Sequence, residues 1–204
     1  MSAPDQGPAL APGQNRLQRQ ADFTGSRLTR FSQVLLRHGL PGAALGGIYL
    51  LVPEMRALGA EAVAPFAADP VRYLTWAIGL FAAMLVYAGV MDRRLDAATA
   101  GWILYLLGIS LWEEWAFRVA LPAFAELHGL PLFAAVLLSN AAFGAAHYFT
   151  LRWKWQWCVL AALGGLALSR HFQQHGDLAV IAGLHWAGTF LNTPRLPGRN
   201  RRAA

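Results

Sequence analysis

Six apolar stretches, separated by short connections that carry many of the arginines, constrain this chain more than any other feature. They run from about Val34 to Val52, Tyr73 to Met91, Ala98 to Leu127, Leu130 to Leu151, Trp155 to Ser169 and Leu178 to Thr193. A helix needs about 20 apolar residues to cross a bilayer, and backbone in lipid must satisfy its own hydrogen bonds. The pattern therefore predicts an all-α fold, a polytopic transmembrane helical bundle of about six spans, the first, fifth and sixth of them short. Composition agrees, since 56% of the 204 residues are hydrophobic and 14% are charged, too apolar for an ordinary soluble domain.

The basic residues set the orientation. With the N-terminus in the cytoplasm, thirteen Arg and Lys side chains lie inside and three, Arg56, Arg72 and Arg170, outside, with Arg118 within the membrane. That asymmetry fits the positive-inside rule and predicts that both termini are cytoplasmic. It also accounts for the net charge of +6: the basic side chains sit at the edges of apolar runs, no nucleic-acid motif accompanies them, and no nucleic-acid partner is expected. Residues 1–32, rich in Pro, Gly, Gln and Ala, read as a disordered basic tail, 33–194 as one transmembrane domain and 195–204 as a basic C-terminal tail. Trp153, Trp155 and Trp157, interleaved with Arg152 and Lys154, read as a cytoplasmic interfacial belt, a composition that could also hold anionic lipid heads. The single cysteine, Cys158, forms no intrachain disulfide and reads as a small buried hydrophobe. Sixteen Arg against one Lys, with abundant Ala and Gly, suggest a GC-rich bacterial genome and hence the bacterial inner (cytoplasmic) membrane.

Against this background Trp112-Glu-Glu-Trp-Ala-Phe-Arg118 stands out, because it places three ionisable groups within a long apolar run. Such groups are costly in a membrane and are functional candidates by default. On a helix Glu114 and Arg118 are four apart and share a face, acid before base, whereas Glu113 points about 100° away. One acid can be neutralised and the other left for chemistry. Besides the two glutamates, the polar residues within apolar stretches that merit attention are His147 and His185, followed by Asn192. His38, His128, His171 and His175 lie at span ends or beside polar connections and read as solvated.

Depth can be counted from the turn at Gly129-Leu130-Pro131. Glu113 lies 16 residues before Gly129 and His147 lies 18 after it, so two antiparallel helices carry both to roughly 25 Å from the turn. Ala141, Ala142, Gly144, Ala145 and Ala146 around His147 let helices approach closely. His185, about eight residues into the last stretch, belongs near mid-membrane. A carboxylate and an imidazole converging in a dry pocket can act as general base on a water, and a second imidazole can donate to the oxyanion that forms. The bland reading is that the histidines are interhelical hydrogen-bonding glue.

Taken in order, Glu113-Glu114-x-x-x-Arg118, then Phe143-x-x-x-His147, then His185 in a late apolar helix resemble the CAAX protease and bacteriocin-processing (CPBP) family of intramembrane endopeptidases, the type II CAAX prenyl endopeptidase-like proteins. The resemblance covers about Ala98 to Pro194. It implies a CPBP-like protease domain over 33–194 with its motif core at 98–194, acting on a membrane-associated or C-terminally anchored protein or peptide. It further implies that Glu113 activates the water, His147 assists, Glu114 and Arg118 brace the helix, and His185 helps stabilise the oxyanion. The family's last motif usually has Asn or Asp four residues after that histidine; here Thr189 stands there. Thr donates one hydrogen bond without the reach of the amide, and Asn192 shares a face with His185 only in part. No cofactor is expected. If there is a metal, zinc on Glu113, His147 and His185 is the set to consider, although no His-Glu-x-x-His helix is present.

Three other readings stand beside this one. A membrane scaffold or bacteriocin-immunity protein could keep the same fold without catalysis. A rhomboid-like serine protease is suggested by Gly108-Ile109-Ser110 and His185-Trp186-Ala187-Gly188, but gives no use to Glu113, Glu114, Arg118 or His147. Paired acids and histidines also suit the proton relay of a transporter.

Overall fold

Proline, aspartate and glycine punctuate the helices. The computed structural model describes residues 17–19, 28–93 and 95–197; most of the two expected basic tails, residues 1–16, 20–27 and 198–204, lies outside the described residues. Among the described residues seven helices follow one another once each π-helical turn is counted with the helix that contains it. Helix α1 is Phe31–Tyr49, with a π-helical turn over Leu35–Gly39. Helices α2 and α3 are Pro53–Ala68 and Pro70–Asp92. Helix α4 covers 97–127: α-helical Ala97–Glu114, a π-helical turn Trp115–Ala120, and α-helical Leu121–Leu127. Helices α5, α6 and α7 are Leu132–Thr150, Trp155–His175 and Leu178–Asn192.

Pro53 and Pro70 open α2 and α3, where a missing N–H costs nothing. The Asp69, Asp96 and Asp177 carboxylates accept from the backbone N–H of Arg72, Thr99 and Val180 at 3.2, 2.9 and 3.0 Å, capping α3, α4 and α7. Gly129 and Gly176, at φ +91° and +64°, take the left-handed conformation that ends α4 and α6.

Six of the helices coincide with the expected apolar stretches. Helix α2 has no counterpart among them, because Glu54, Arg56, Glu61 and Pro65 break up its apolar residues. It turns 107° from α1. Among the described residues, α3 (over Pro70–Met91) and α5 are long and apolar enough to cross a membrane, or three segments are if α1 and α2 form one broken span. Helix α7, at 15 residues, is short, and α4 carries charges in its middle.

Tryptophans tie the helices together. In one cluster Met84 and Ala88 of α3 pack with Trp102, Ile103 and Leu106 of α4 and with Trp186 and Phe190 of α7. The Trp186 Nε1–H donates to Ile103 O at 2.8 Å and the Trp102 Nε1–H to Thr193 O at 2.9 Å. A second cluster joins Met55 and Ala62 of α2 to Trp115, Val119 and Ala120 of α4 and to Leu178 and Ile181 of α7. A third sets Ala116 and Phe117 against Phe143 of α5. Helices α5 and α6 meet at Gly144, where a Cβ would stand 2.7 Å from Cys158 O. Outside these clusters Trp76, Ile78 and Val90 of α3, Phe133 and Leu138 of α5, Leu160 and Leu163 of α6 and Leu184 and Leu191 of α7 are exposed. An apolar exterior of this extent suits lipid rather than water. Within the expected N-terminal tail, Leu17 is buried and Gln18 forms an isolated antiparallel bridge to Trp153.

Candidate active site

Glu113 and Glu114 close the α-helical part of α4, immediately before its π-helical turn. A π turn is rare and recurs at functional sites. The two acids part as their 100° separation demands. The Glu114 Oε2 lies 3.3 Å from Arg118 Nε, both side chains almost fully buried. The Arg118 guanidinium lies over the Phe143 ring, 3.9 Å from its centroid, and against Gly165 of α6, where any Cβ would collide with it. Glycine there is a requirement of close approach. The other oxygen of Glu114 accepts from His185 Nδ1 at 2.6 Å. Glu114 is thus held from two sides by α4 itself and by α7.

Glu113 is not free either. Its Oε1 lies 2.7 Å from His38 Nε2 and its Oε2 3.6 Å from His185 Nε2. The reading of His38 as a solvated residue at a span end is corrected here: it is 9% exposed and lies within the bundle, because the π turn of α1 lies against α4. The signal in the sequence was its position between Leu36 and Leu40, inside an apolar run. His128 stays exposed, as expected.

His147 is buried three residues before the end of α5. Its Nδ1–H donates to Phe143 O at 2.9 Å, so in the neutral ring Nε2 is left as an acceptor. Trp153 and Phe143 flank it, at 4.6 and 4.5 Å between ring centroids. Glu113 and His147 do meet, as their similar distances from the turn allow: with His38 they offer donor atoms all within 4.8 Å of one another. They line a cavity of about 60 Å³ together with Tyr105, Leu106, Trp153 and Thr189, room enough for water. Thr189 therefore faces the cavity, while the Asn192 amide donates to Gly188 O at 3.1 Å, within its own helix. Ser110 is fully buried and its Oγ has no hydrogen-bond partner, so it forms no Ser–His dyad.

Two imidazoles and a carboxylate are a donor set that zinc accepts. The trio that converges contains His38 in place of His185. Ligands bound at about 2.0 Å to a tetrahedral zinc stand roughly 3.3 Å apart, whereas His38 and Glu113 touch at 2.7 Å; a metal would have to part them. As seated, His38 and Glu113 are hydrogen-bonded to each other rather than spread around an ion. The trio is a hydrogen-bonded carboxylate and imidazole group beside a water-sized cavity.

Residues 95–191 match the Rce1-like family, described as type II CAAX prenyl endopeptidase Rce1-like. The matched segment contains Glu113, Glu114, Arg118, His147, His185 and Thr189, but neither His38 nor Asn192. No curated protein and no solved structure matches the chain.

Proposed function

We propose, from the premise that residues 95–191 form an Rce1-like domain, that this chain is an intramembrane endopeptidase that hydrolyses a peptide bond in a membrane-associated or C-terminally anchored protein. The observation that carries the reading is the cavity into which Glu113 and His147 converge. Glu113 takes a proton from a water there. His147, whose Nδ1–H is committed to Phe143, offers Nε2 to the same water and aims its oxygen. The oxygen attacks the carbonyl carbon, the carbonyl electrons move to oxygen, and the proton held by Glu113 passes to the leaving nitrogen as the C–N bond breaks. His185 stabilises the oxyanion through Nε2–H, as the imidazolium whose other proton is held by Glu114. Thr189 lines the cavity where the family's usual amide would stand. Glu114 and Arg118 hold the helix. No step needs a metal or other cofactor.

Six helices, α1 and α3 to α7, cross the bilayer in this reading, with both termini cytoplasmic and α2 at the opposite face. The two large core clusters support it. One gathers Met55, Leu178 and Val119 toward the end that carries Arg72 and Arg170, the other Ala88, Trp102 and Phe190 toward the end that carries Arg93, Arg152 and Arg195. Leu17, Trp153, Thr193 and Pro197 line the cavity from that second, more basic end. A substrate segment on the cytoplasmic side of a bacterial inner membrane would reach it. The test is purified protein in liposomes with a membrane-anchored peptide. Cleavage by the native protein and none by Glu113→Gln or His147→Ala supports the reading. Cleavage that persists in Glu113→Gln overturns it, and loss with Ser110→Ala instead would favour a serine mechanism.

A further inference from the structure

His38 lies outside the Rce1-like segment, yet it makes the shortest contact to Glu113 among the described residues, and the donors and acceptors around it leave little choice. The Thr150 hydroxyl lies 2.6 Å from Ala146 O and 2.8 Å from His38 Nδ1 and has one proton for the two: given to Nδ1, it leaves the neutral ring with its own proton on Nε2, facing Glu113; given to Ala146 O, it leaves the hydroxyl oxygen to accept from His38 Nδ1–H. In the second case the neutral ring presents a lone pair on Nε2. Glu113 Oε1, 2.7 Å away, also presents lone pairs. Two acceptors do not sit at that distance, so in either case one proton lies between them.

The backbone supports the same contact. His38 sits in the π-helical turn Leu35–Gly39 of α1, and Glu113 sits just before the π-helical turn Trp115–Ala120 of α4. Gly39, next to His38, lets the helices close, since a Cβ there would stand 2.6 Å from the Tyr105 hydroxyl. The ring also meets His147 edge to face, at 5.3 Å between centroids. The chain Ala146–Thr150–His38–Glu113 is thus anchored on α5 and ends on the carboxylate of α4.

We infer that His38 is a positioning residue for hydrolysis: it clamps Oε1 of Glu113 through the shared proton, fixes the carboxylate plane, and leaves Oε2 as the oxygen that takes the proton from water. This rests on the reading of Glu113 as the base. His38 lines the same cavity but takes no proton from water or substrate in the step. Its helix makes α1 part of the site, so the Rce1-like segment by itself lacks one of the groups that hold its base.

The experiment compares kcat and KM of the full chain in liposomes, using the same anchored peptide, for His38→Leu, His38→Gln and Thr150→Val, with Glu113→Gln as reference. A base displaced by about 1 Å loses on the order of a hundredfold in rate. His38→Leu, which fills the space without a donor, is expected to lower kcat by about that factor with KM within roughly threefold. His38→Gln, whose amide can still donate to Oε1, should recover at least tenfold of that loss, and Thr150→Val should lower kcat by roughly tenfold. All should unfold at the native temperature; if His38→Leu does not fold, the other two variants carry the comparison. Full kcat in both His38→Leu and Thr150→Val, or a loss in His38→Gln equal to that in His38→Leu, overturns the inference. So does one zinc per native chain that His38→Gln lacks, which would make His38 a ligand. Activity in Glu113→Gln would overturn the proposed function itself, whatever the His38 variants do.

Discussion

The buried pair Glu114–Arg118 and the carboxylate of Glu113 sit side by side in sequence and carry different risks. Arg118 lies on Phe143 and against Gly165 with Glu114 as its partner, so Arg118→Ala leaves Glu114 facing His185 without its arginine. Breaking a buried pair costs about 3–5 kcal/mol, and Arg118→Ala should lower the unfolding temperature and the yield of folded protein. Glu113→Gln keeps size and hydrogen bonding, so it should fold normally and cleave nothing. Equal yields and equal residual activities in the two variants would contradict that division. Thr189 lines the cavity. Restoring the family's usual residue with Thr189→Asn should preserve or raise kcat if the amide reaches the oxyanion, and a loss of tenfold or so would place the oxyanion elsewhere.

Helix contacts depend on where glycine is obligatory. Gly144 and Gly164 belong to the facing helices α5 and α6, yet a Cβ at Gly144 would stand 2.7 Å from a backbone oxygen, whereas one at Gly164 meets nothing within 4 Å. Gly144→Ala should therefore cost about 1–3 kcal/mol through forced separation of the helices. Gly164→Ala should be neutral or stabilising by up to about 1 kcal/mol, since alanine restricts the unfolded chain. Denaturant unfolding in detergent of the two variants checks the contrast, and equal destabilisation would show that the α5–α6 approach is looser than described. The same closeness brings His147 and Asn140 against α4 and α6. The π-helical turns belong to this scale too, because each inserts a residue beside a site histidine or glutamate and changes which faces meet.

For the whole molecule the basic residues and the apolar exterior make one prediction about the membrane. In a Cys158→Ala background, a cysteine at Lys154, an exposed site beside the cavity end, should react with an impermeant reagent only from the cytoplasmic side. A cysteine at Arg72, exposed at the start of α3, should react only from the other side. Labelling of both from one side would remove the six-span arrangement. The tie between α3 and the start of α7, where the Tyr73 hydroxyl donates to Asp177, would then have to lie on that same side.

Sequence by itself determined the helical class, the places of six of the seven helices, and the meeting of Glu113 with His147, because periodicity, hydropathy and rise per residue are local quantities that can be counted along a chain. It also determined the Glu114–Arg118 pair, which is a matter of one helical turn. Three things were decided only by tertiary structure. Helix α2 forms although its charges and its internal proline give no apolar run, because Met55 and Ala62 are buried against α4 and α7. Leu17 packs beside Trp153 although its surroundings read as a polar tail. His38 reaches Glu113 across 75 residues of chain. Its partners come from α4 and α5, and a π turn moves it off the phase that 100° per residue would assign, so no pattern within α1 points to them. A side chain's own neighbours in sequence state how polar its place is, but only the packing of other helices against it decides whether that place is water or a carboxylate.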